Sequence, residues 1–166
     1  VPDLQPYFKI EKQLRQNKVY VFSANFRLYG DITNNVMDRL KDFSSHVEQY
    51  SIDEMFLNVE ASSRGLEQLG IDVKEDVWNA VRMPVGVGIA PTKTLSKLAS
   101  HAAKKIKKSG VAVLDTPCKW EWLQKRLPVN KIWGIGNRLR KRLNDMGIHT
   151  VYQLAQANPK FIRYQT

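Results

Sequence analysis

Hydrophobic residues recur at helical spacing in two stretches near the start of the chain. Residues 4–16 predict a short helix with Asp3 as its N-cap, and residues 25–41 predict a longer helix. Between them, residues 19–22 form a short run of apolar, partly β-branched side chains. Such a run predicts a short buried strand.

Around residue 50 the pattern changes from helical spacing to alternation. Residues 46–50 alternate between apolar and polar side chains and predict one strand, and residues 55–59 predict another, so together they favour an antiparallel hairpin. Residues 62–82 are mixed. They predict a helix, although Gly65 and Gly70 interrupt its pattern.

The middle of the chain predicts a strand, a helix and another strand in succession. Residues 85–90 are apolar and rich in β-branched side chains, which predicts a buried strand. Residues 92–105 predict a strong helix with Thr92 as its N-cap, and residues 111–114 predict a last strand. The fold class predicted for this part is α+β.

From Pro117 onward the pattern is helical, with short connections and no further strand. We therefore predict a domain boundary near residues 113–116, with a small helical module after it. The four tryptophans are expected in the core rather than stacked on bases, although Trp120 could serve either purpose. No apolar run approaches the roughly 20 residues that a membrane helix needs.

Charge changes this picture more than composition does. The 166 residues include 26 Lys or Arg and 16 Asp or Glu, for a formal net charge of +10. Residues 91–142 alone hold 14 basic and two acidic residues, so the whole excess lies in one third of the chain. This concentration favours a surface that faces a polyanion, with a solvated basic face as the alternative.

Targeting and redox features are few. The single cysteine, Cys118, excludes an internal disulfide framework and indicates a reducing compartment. It has no Cys or His neighbour at zinc-ligand spacing, so zinc is not expected. The first residues do not resemble a signal peptide, and both ends of the chain look cut, so we expect an internal fragment of a longer protein.

The sharpest chemical motif is the pair Asp53-Glu54 at the predicted hairpin. Adjacent carboxylates provide the hard oxygen ligands that Mg²⁺ takes beside substrate phosphates. Neighbouring side chains of a regular strand point to opposite faces, so a shared site requires a bend in the backbone there. The alternative is an acidic hairpin turn in water.

Two further motifs favour phosphate binding. Lys93 and Lys97 lie one turn apart at the start of the predicted helix 92–105, where free N–H groups and the helix dipole attract anions. Residues 134–136, Gly-Ile-Gly, precede a basic stretch that carries Arg138 and Lys141. This pattern is typical of a helix-hairpin-helix that grips the DNA backbone without reading bases. The alternatives are solvated lysines and a glycine-rich helix connection.

Taken in order, these motifs resemble the Y-family of translesion DNA polymerases, and within it the UmuC group, the catalytic subunits of bacterial DNA polymerase V. The motifs are Tyr50-Ser51-Ile52-Asp53-Glu54, Val85-Gly86-Val87-Gly88-Ile89-Ala90, Thr92-Lys93-Thr94-Leu95 with Lys97-Leu98-Ala99, and Trp133-Gly134-Ile135-Gly136. Residues 22–29 and 101–105 support the narrower match. The resemblance extends over nearly the whole chain.

The resemblance implies a ferredoxin-like palm followed by a helical thumb. Residues 1–24 would be the end of the fingers, 25–114 the palm and 115–166 the thumb. Asp53 and Glu54 match the palm carboxylates that ligate two catalytic Mg²⁺ ions. Lys97, and less directly Lys93, match lysines that contact the incoming dNTP. Gly134, Ile135 and Gly136 match the DNA-binding hairpin of the thumb, with Arg138 and Lys141 beside it.

The family pattern also contains parts that this chain does not show. These are a first strand with another metal-binding aspartate, a steric-gate aromatic residue, a triphosphate clamp in the fingers and a little-finger domain. We therefore expect a palm that lacks its first strand, a chain that is inactive by itself, and self-association through an exposed strand edge.

The resemblance implies a bacterial cytoplasmic enzyme of the SOS and UV-protection type. It would act on a DNA primer–template, with a UmuD′ dimer, RecA and the sliding clamp as partners. The main alternative is a non-catalytic helix-hairpin-helix module that uses only residues 117–166. A metal-dependent nucleotide cyclase is a third possibility, which the hairpin disfavours because a cyclase has no need to hold a duplex.

Overall fold

The computed structural model describes residues 5–60, 63–106 and 108–165. Helices account for most of the regular structure, and a single 3-10 turn, Val129–Lys131, precedes the last three of them. In chain order the helices are α1 Tyr7–Gln16, α2 Phe26–Leu40, α3 Leu66–Val81, α4 Lys93–Lys105, α5 Pro117–Gln124, α6 Asn137–Asp145, α7 Val151–Gln156 and α8 Pro159–Gln165.

Four short strands form two separate pairs within the described residues. β1 Val47–Gln49 and β2 Met55–Leu57 pair antiparallel, with Glu48 opposite Phe56. β3 Val87–Ile89 and β4 Val111–Val113 pair parallel, with Gly88 opposite Ala112. The α+β class is therefore confirmed, but these strands do not form one continuous sheet.

A shared core lies beneath both strand pairs. Leu40 of α2 and Val73 and Val77 of α3 are buried, and apolar side chains from β1, β2 and β3 pack against them. Gly70 lies inside α3, where a Cβ atom would reach to 2.5 Å from a methyl group of Val111. The glycine that interrupts the helical pattern in the sequence therefore allows α3 to approach β4.

The core continues from the α+β part into the helical part. Leu98 of α4 and Leu114 belong to the same buried cluster as Leu123 of α5 and Val151 of α7. A separate cluster, around Val129, Leu143 and Ile148, holds the last helices together. The boundary near residues 113–116 stays a prediction, and the buried cluster crosses it without a break.

Side-chain caps mark the starts of three helices, and the cap predicted at Thr92 is one of them. Asn25 caps α2 by accepting a hydrogen bond from the Leu28 amide, and Thr92 caps α4 by accepting one from Leu95. Thr150 and Gln153 form a capping box at the start of α7, as favoured by hydroxyl side chains at this position. The helix and strand predictions for residues 25–59 and 85–114 are thereby confirmed, with ends trimmed by one or two residues.

The prediction of a buried strand at residues 19–22 is wrong. This segment has no regular secondary structure and no strand partner among the described residues, and Tyr20 and Phe22 are 87% and 86% exposed. Its apolar character indicates a tendency to be buried, but no described element packs over it. The predicted cap Asp3 and the first helical residue Leu4 lie outside the described residues, and α1 begins at Tyr7.

The expectation of buried tryptophans is also largely wrong. Trp78, Trp122 and Trp133 are 45%, 49% and 38% exposed, whereas Trp120 packs against the core. Arg82 lies near the ring of Trp78 and Arg126 near that of Trp122, so two of these indoles carry a cation on one face.

Of the helices described here, none is long and apolar enough to cross a membrane.

Candidate nucleotide and DNA-binding site

The β1–β2 hairpin bends the backbone where the two carboxylates require it. The amides of Tyr50 and Ser51 both donate to the carbonyl of Glu54, at 3.0 and 3.1 Å, which closes a tight turn. Asp53 lies within this turn and accepts a hydrogen bond of 2.7 Å from the Ser51 hydroxyl, while Glu54 immediately precedes β2. The turn removes the objection that adjacent strand residues point to opposite faces.

A buried threonine fastens this turn to α2. The Thr33 hydroxyl contacts the carbonyl oxygens of Tyr29, at 2.7 Å, and of Ile52. Thr33 is 5% exposed, so neither contact competes freely with water. Ile52, the residue before Asp53, is therefore held against α2 by this contact.

Both predicted lysines reach the hairpin from the first turns of α4. Lys97 forms an ion pair of 2.7 Å with Glu54, and its side chain is only 20% exposed. Lys93 pairs with the carboxylate of Glu48 on β1. Cations and carboxylates that lie more than 40 residues apart in sequence are therefore neighbours in the fold.

One groove contains all four predicted charged residues. It has a volume of about 1320 Å³ and opens between the two strand pairs, with Asp53, Glu54, Lys93 and Lys97 among its lining residues. Its floor is apolar and comes from α2, α3 and the strands. A groove with an apolar floor and a few convergent charged groups is the usual form of a small-molecule site.

The predicted helix-hairpin-helix is present after the 3-10 turn. Gly134 adopts φ +89°, in the left-handed region that favours glycine, and Gly136 precedes α6 without a side-chain cap. A Cβ atom at either position would meet nothing within 4 Å, so both glycines face open space. Ile135 between them packs inward with Leu143 and Ile148.

The basic side chains of α6 surround this opening. Arg138, Arg140 and Lys141 are exposed, while Leu139 and Leu143 on the same helix face the core. The start of α6 therefore presents backbone N–H groups, helix dipole and cations to one side. This combination binds phosphate groups.

The carboxylates Asp53 and Glu54 fit the ligand chemistry of a hard divalent cation. Carboxylate oxygens are ligands that Mg²⁺ accepts, and Asp53 and Glu54 open into one groove. Within residues 5–60, 63–106 and 108–165, no group of three or more His, Cys, Asp or Glu could hold a metal ion.

Sequence reasoning missed three residues that complete the geometry. Glu48 is the counter-ion of Lys93, Thr33 supports the turn, and Trp133 donates a hydrogen bond of 2.8 Å to the hydroxyl of Tyr50. Each contact joins parts of the chain that are far apart in sequence, so no local pattern marks it. Of the three, only Trp133 could have been found from the sequence, because it directly precedes the Gly-Ile-Gly turn.

This fold, with carboxylates and lysines in one groove and a helix-hairpin-helix beyond it, defines the palm-and-thumb class of Y-family polymerases. The chain belongs to the impB/mucB/samB family, whose family model matches residues 1–101. The HHH motif of the IMS family matches residues 121–148, which contain the hairpin described above.

Curated relatives confirm the narrower resemblance to the UmuC group. Protein SamB of Salmonella typhimurium is 41% identical over 163 residues, which cover 95% of this chain and 38% of SamB. Protein UmuC of Salmonella typhimurium is 40% identical, with coverage of 96% and 39%. DNA polymerase IV of Clostridium acetobutylicum is 32% identical, with coverage of 87% and 36%. The chain thus spans about two fifths of the length of these relatives.

Solved structures agree with this assignment. The insertion ternary complex of Dbh DNA polymerase matches with a TM-score of 0.78 and 26% identity, covering 100% of this chain and 48% of that one. A DinB family error-prone DNA polymerase from Sulfolobus solfataricus matches with the same score and identity, covering 100% and 49%. The similarity extends over both the α+β part and the hairpin.

Proposed function

We propose that this chain carries the palm and thumb of an error-prone translesion DNA polymerase, which adds dNTPs to the 3′ end of a primer. The observation that carries the proposal is the single groove holding Asp53, Glu54, Lys93 and Lys97. Residues 25–114 would be the palm, 115–166 the thumb and 1–24 the end of the fingers.

Each charged residue has a role in this proposal. Asp53 and Glu54 would hold Mg²⁺, which in two-ion sites stabilises the attacking and leaving oxygens of nucleotidyl transfer. Lys97 and Lys93 would offset the charge of the triphosphate, because both ammonium groups lie in the groove that holds Asp53 and Glu54. Two carboxylates fall short of the set such a site takes, so we expect no extension by the 166-residue chain alone.

The thumb hairpin would hold the duplex by its phosphates. Gly134 and Gly136 leave the backbone open, and Ile135 anchors the turn in the core. Arg138 and Lys141 add exposed charge at the same opening. Binding through such contacts is independent of sequence and weakens as salt rises, because counterions are released.

Conservative substitution of the carboxylates in the complete polymerase tests the catalytic proposal. We expect Asp53→Asn or Glu54→Gln to abolish primer extension while DNA binding persists, because charge stabilisation in the transition state is lost. Glu48→Gln is the matched control, since Glu48 pairs with Lys93 but is not a proposed metal ligand. Near-normal extension by Asp53→Asn or Glu54→Gln would reject the assignment.

The DNA-binding proposal has its own test on the 166-residue chain. Duplex binding should weaken with salt, and the double variant Arg138→Gln with Lys141→Gln should flatten the salt dependence by roughly one unit per lost phosphate contact. A sequence-specific or salt-independent interaction would contradict it. Duplex binding without any extension by the complete protein would instead favour the non-catalytic hairpin module.

By similarity to the UmuC group, we propose a UmuD′ dimer, RecA and the sliding clamp as partners of the complete protein. Its DNA substrate would place it in the bacterial cytoplasm. Co-purification of the complete protein with UmuD′ tests the first of these partners, and its absence from the purified complex would count against the polymerase V type of assembly.

A further inference from the structure

An aromatic cluster joins the thumb hairpin to the palm turn. The rings of Tyr50 and Trp133 meet edge to face at 4.9 Å, and the Trp133 indole N–H donates to the Tyr50 hydroxyl at 2.8 Å. Phe56 of β2 lies 5.9 Å from Tyr50 and 5.8 Å from Trp133, measured between ring centroids. Trp133 directly precedes Gly134 of the hairpin, so the cluster connects the two proposed functional elements.

The two lysines of α4 rest on this same cluster. The Lys97 ammonium lies 4.5 Å from the ring centroid of Tyr50 and 5.3 Å from that of Trp133, while Lys93 lies 5.2 Å from Phe56. Lys97 also pairs with Glu54. Its ammonium group is therefore held by one carboxylate and two ring faces, and a largely buried cation gains most from such ring contacts.

We propose that Trp133 and Tyr50 are positioning residues that transmit duplex binding at the hairpin to Lys97 and, through it, to Glu54. This inference rests on the proposed function, because it requires the hairpin to bind DNA and Lys97 to face the nucleotide. The physical path is a continuous series of contacts from the Gly134 backbone to the indole, the phenol, the ammonium and the carboxylate.

The path has a structural reason to respond to DNA. Gly134 is the residue of the turn with a positive φ, at +89°, and it adjoins Trp133 in the chain. Phosphate binding to the N–H groups of this turn would fix its backbone and with it the orientation of the indole. Because the Lys97 ammonium lies over that indole, any reorientation of the ring changes the environment of Lys97.

NMR of the 166-residue chain with labelled lysine tests the link without requiring catalysis. Ring currents should place the ε-methylene signal of Lys97 upfield of the lysines that contact no ring, and a primer–template duplex should shift it further. In Trp133→Leu the signal should move toward the exposed lysines and no longer respond to DNA. The comparison is made at DNA concentrations that saturate each variant, so that a lost response is not a loss of binding.

Conservative and matched variants separate positioning from folding. Trp133→Phe and Tyr50→Phe keep a ring but remove the hydrogen bond, so each should reduce the DNA response of Lys97 without unfolding the chain. Trp122→Leu is the matched control, because Trp122 is an exposed indole that lies against Arg126 and does not contact Lys97. This control should leave the Lys97 signal and its DNA response unchanged.

A second readout uses the complete polymerase. Trp133→Leu should raise KM for the incoming nucleotide about fivefold, the scale of one lost cation–π contact, while kcat changes less. A Lys97 signal that ignores DNA in the unsubstituted chain, or responds equally in Trp133→Leu, would overturn the link. If the complete protein shows no extension but Lys97 still responds to DNA, the polymerase proposal fails and the link stands. Absence of any DNA binding would overturn both.

Discussion

Gly88 of β3 lies directly against the main chain of α4. A Cβ atom at residue 88 would lie 2.5 Å from the carbonyl oxygen of Ser96 and 2.7 Å from the carbonyl carbon of Ala99, and closer still to the amide nitrogen of Ser100. These are main-chain atoms, so no rotation of a side chain relieves the overlap. Contacts between carbon atoms are normally about 3.5–4.0 Å, so Gly88→Ala requires α4 to move by about 1 Å or more.

We expect this displacement to be costly for both stability and the site. An inserted methyl group in a packed core costs typically 1–3 kcal/mol, and the main-chain obstacle places Gly88→Ala at about 3 kcal/mol or above. That is a large part of the roughly 5–15 kcal/mol that stabilises a domain. Because α4 carries Lys97, the same movement should separate its ammonium from Glu54.

Urea unfolding followed by circular dichroism measures the loss directly. The matched control is Gly86→Ala on the same segment, where a Cβ atom would meet only the flexible side chain of Lys104, at 3.0 Å from its Cγ. We expect the control to keep a midpoint near that of the unsubstituted chain and Gly88→Ala to lower it strongly at a similar slope. Equal midpoints for the two variants would refute the packing argument.

Three further predictions use the same preparations. Burial, and then the charges of Lys131, Lys105 and Lys104, lower the pKa of His101 below 6.5; the folded state therefore resists protonation, and the free energy of unfolding should fall as the pH drops from about 6.5 toward that lowered pKa. Urea midpoints at several pH values should show this fall and lose it in His101→Gln; an unchanged profile would contradict it. Thr33→Val should cost about 1–2 kcal/mol in urea unfolding, because the carbonyls of Tyr29 and Ile52 lose the one O–H donor that they share, whereas Thr33→Ser should recover most of it; equal losses would refute the hydrogen-bond argument. Each strand has one strand partner in the described residues and therefore one unpaired edge, so sedimentation should show dimers formed through such edges; a monomer at high concentration would rule out this association.

Features encoded by neighbouring residues were predictable from the sequence. The cap at Thr92 and the antiparallel hairpin around Asp53 each depend on residues within a few positions of one another. Such signals operate before any tertiary contact forms, so the sequence pattern carries them in full.

Features that depend on a partner element were not predictable in this way. The apolar residues 19–22 show a local pattern that favours burial, but the pattern does not show which element would cover them. Trp133 was expected in the core because of its size, whereas its polar N–H and its place beside the hairpin hold it at a partly exposed junction. Long-range contacts decided both outcomes.

The candidate site combines both kinds of information. The local pattern places Lys97 on one face of a helix and Glu54 beside a turn, 43 residues apart, and only the family resemblance assigns them to one site. They meet because Gly88 has no side chain, which allows α4 to lie close against β3 and brings its first turns to the rim of the groove. Gly88 therefore helps to place the ammonium group of Lys97 beside Glu54. A change at Gly88 should consequently disturb the site as surely as a change at Lys97, although Gly88 offers no side chain to bind a nucleotide.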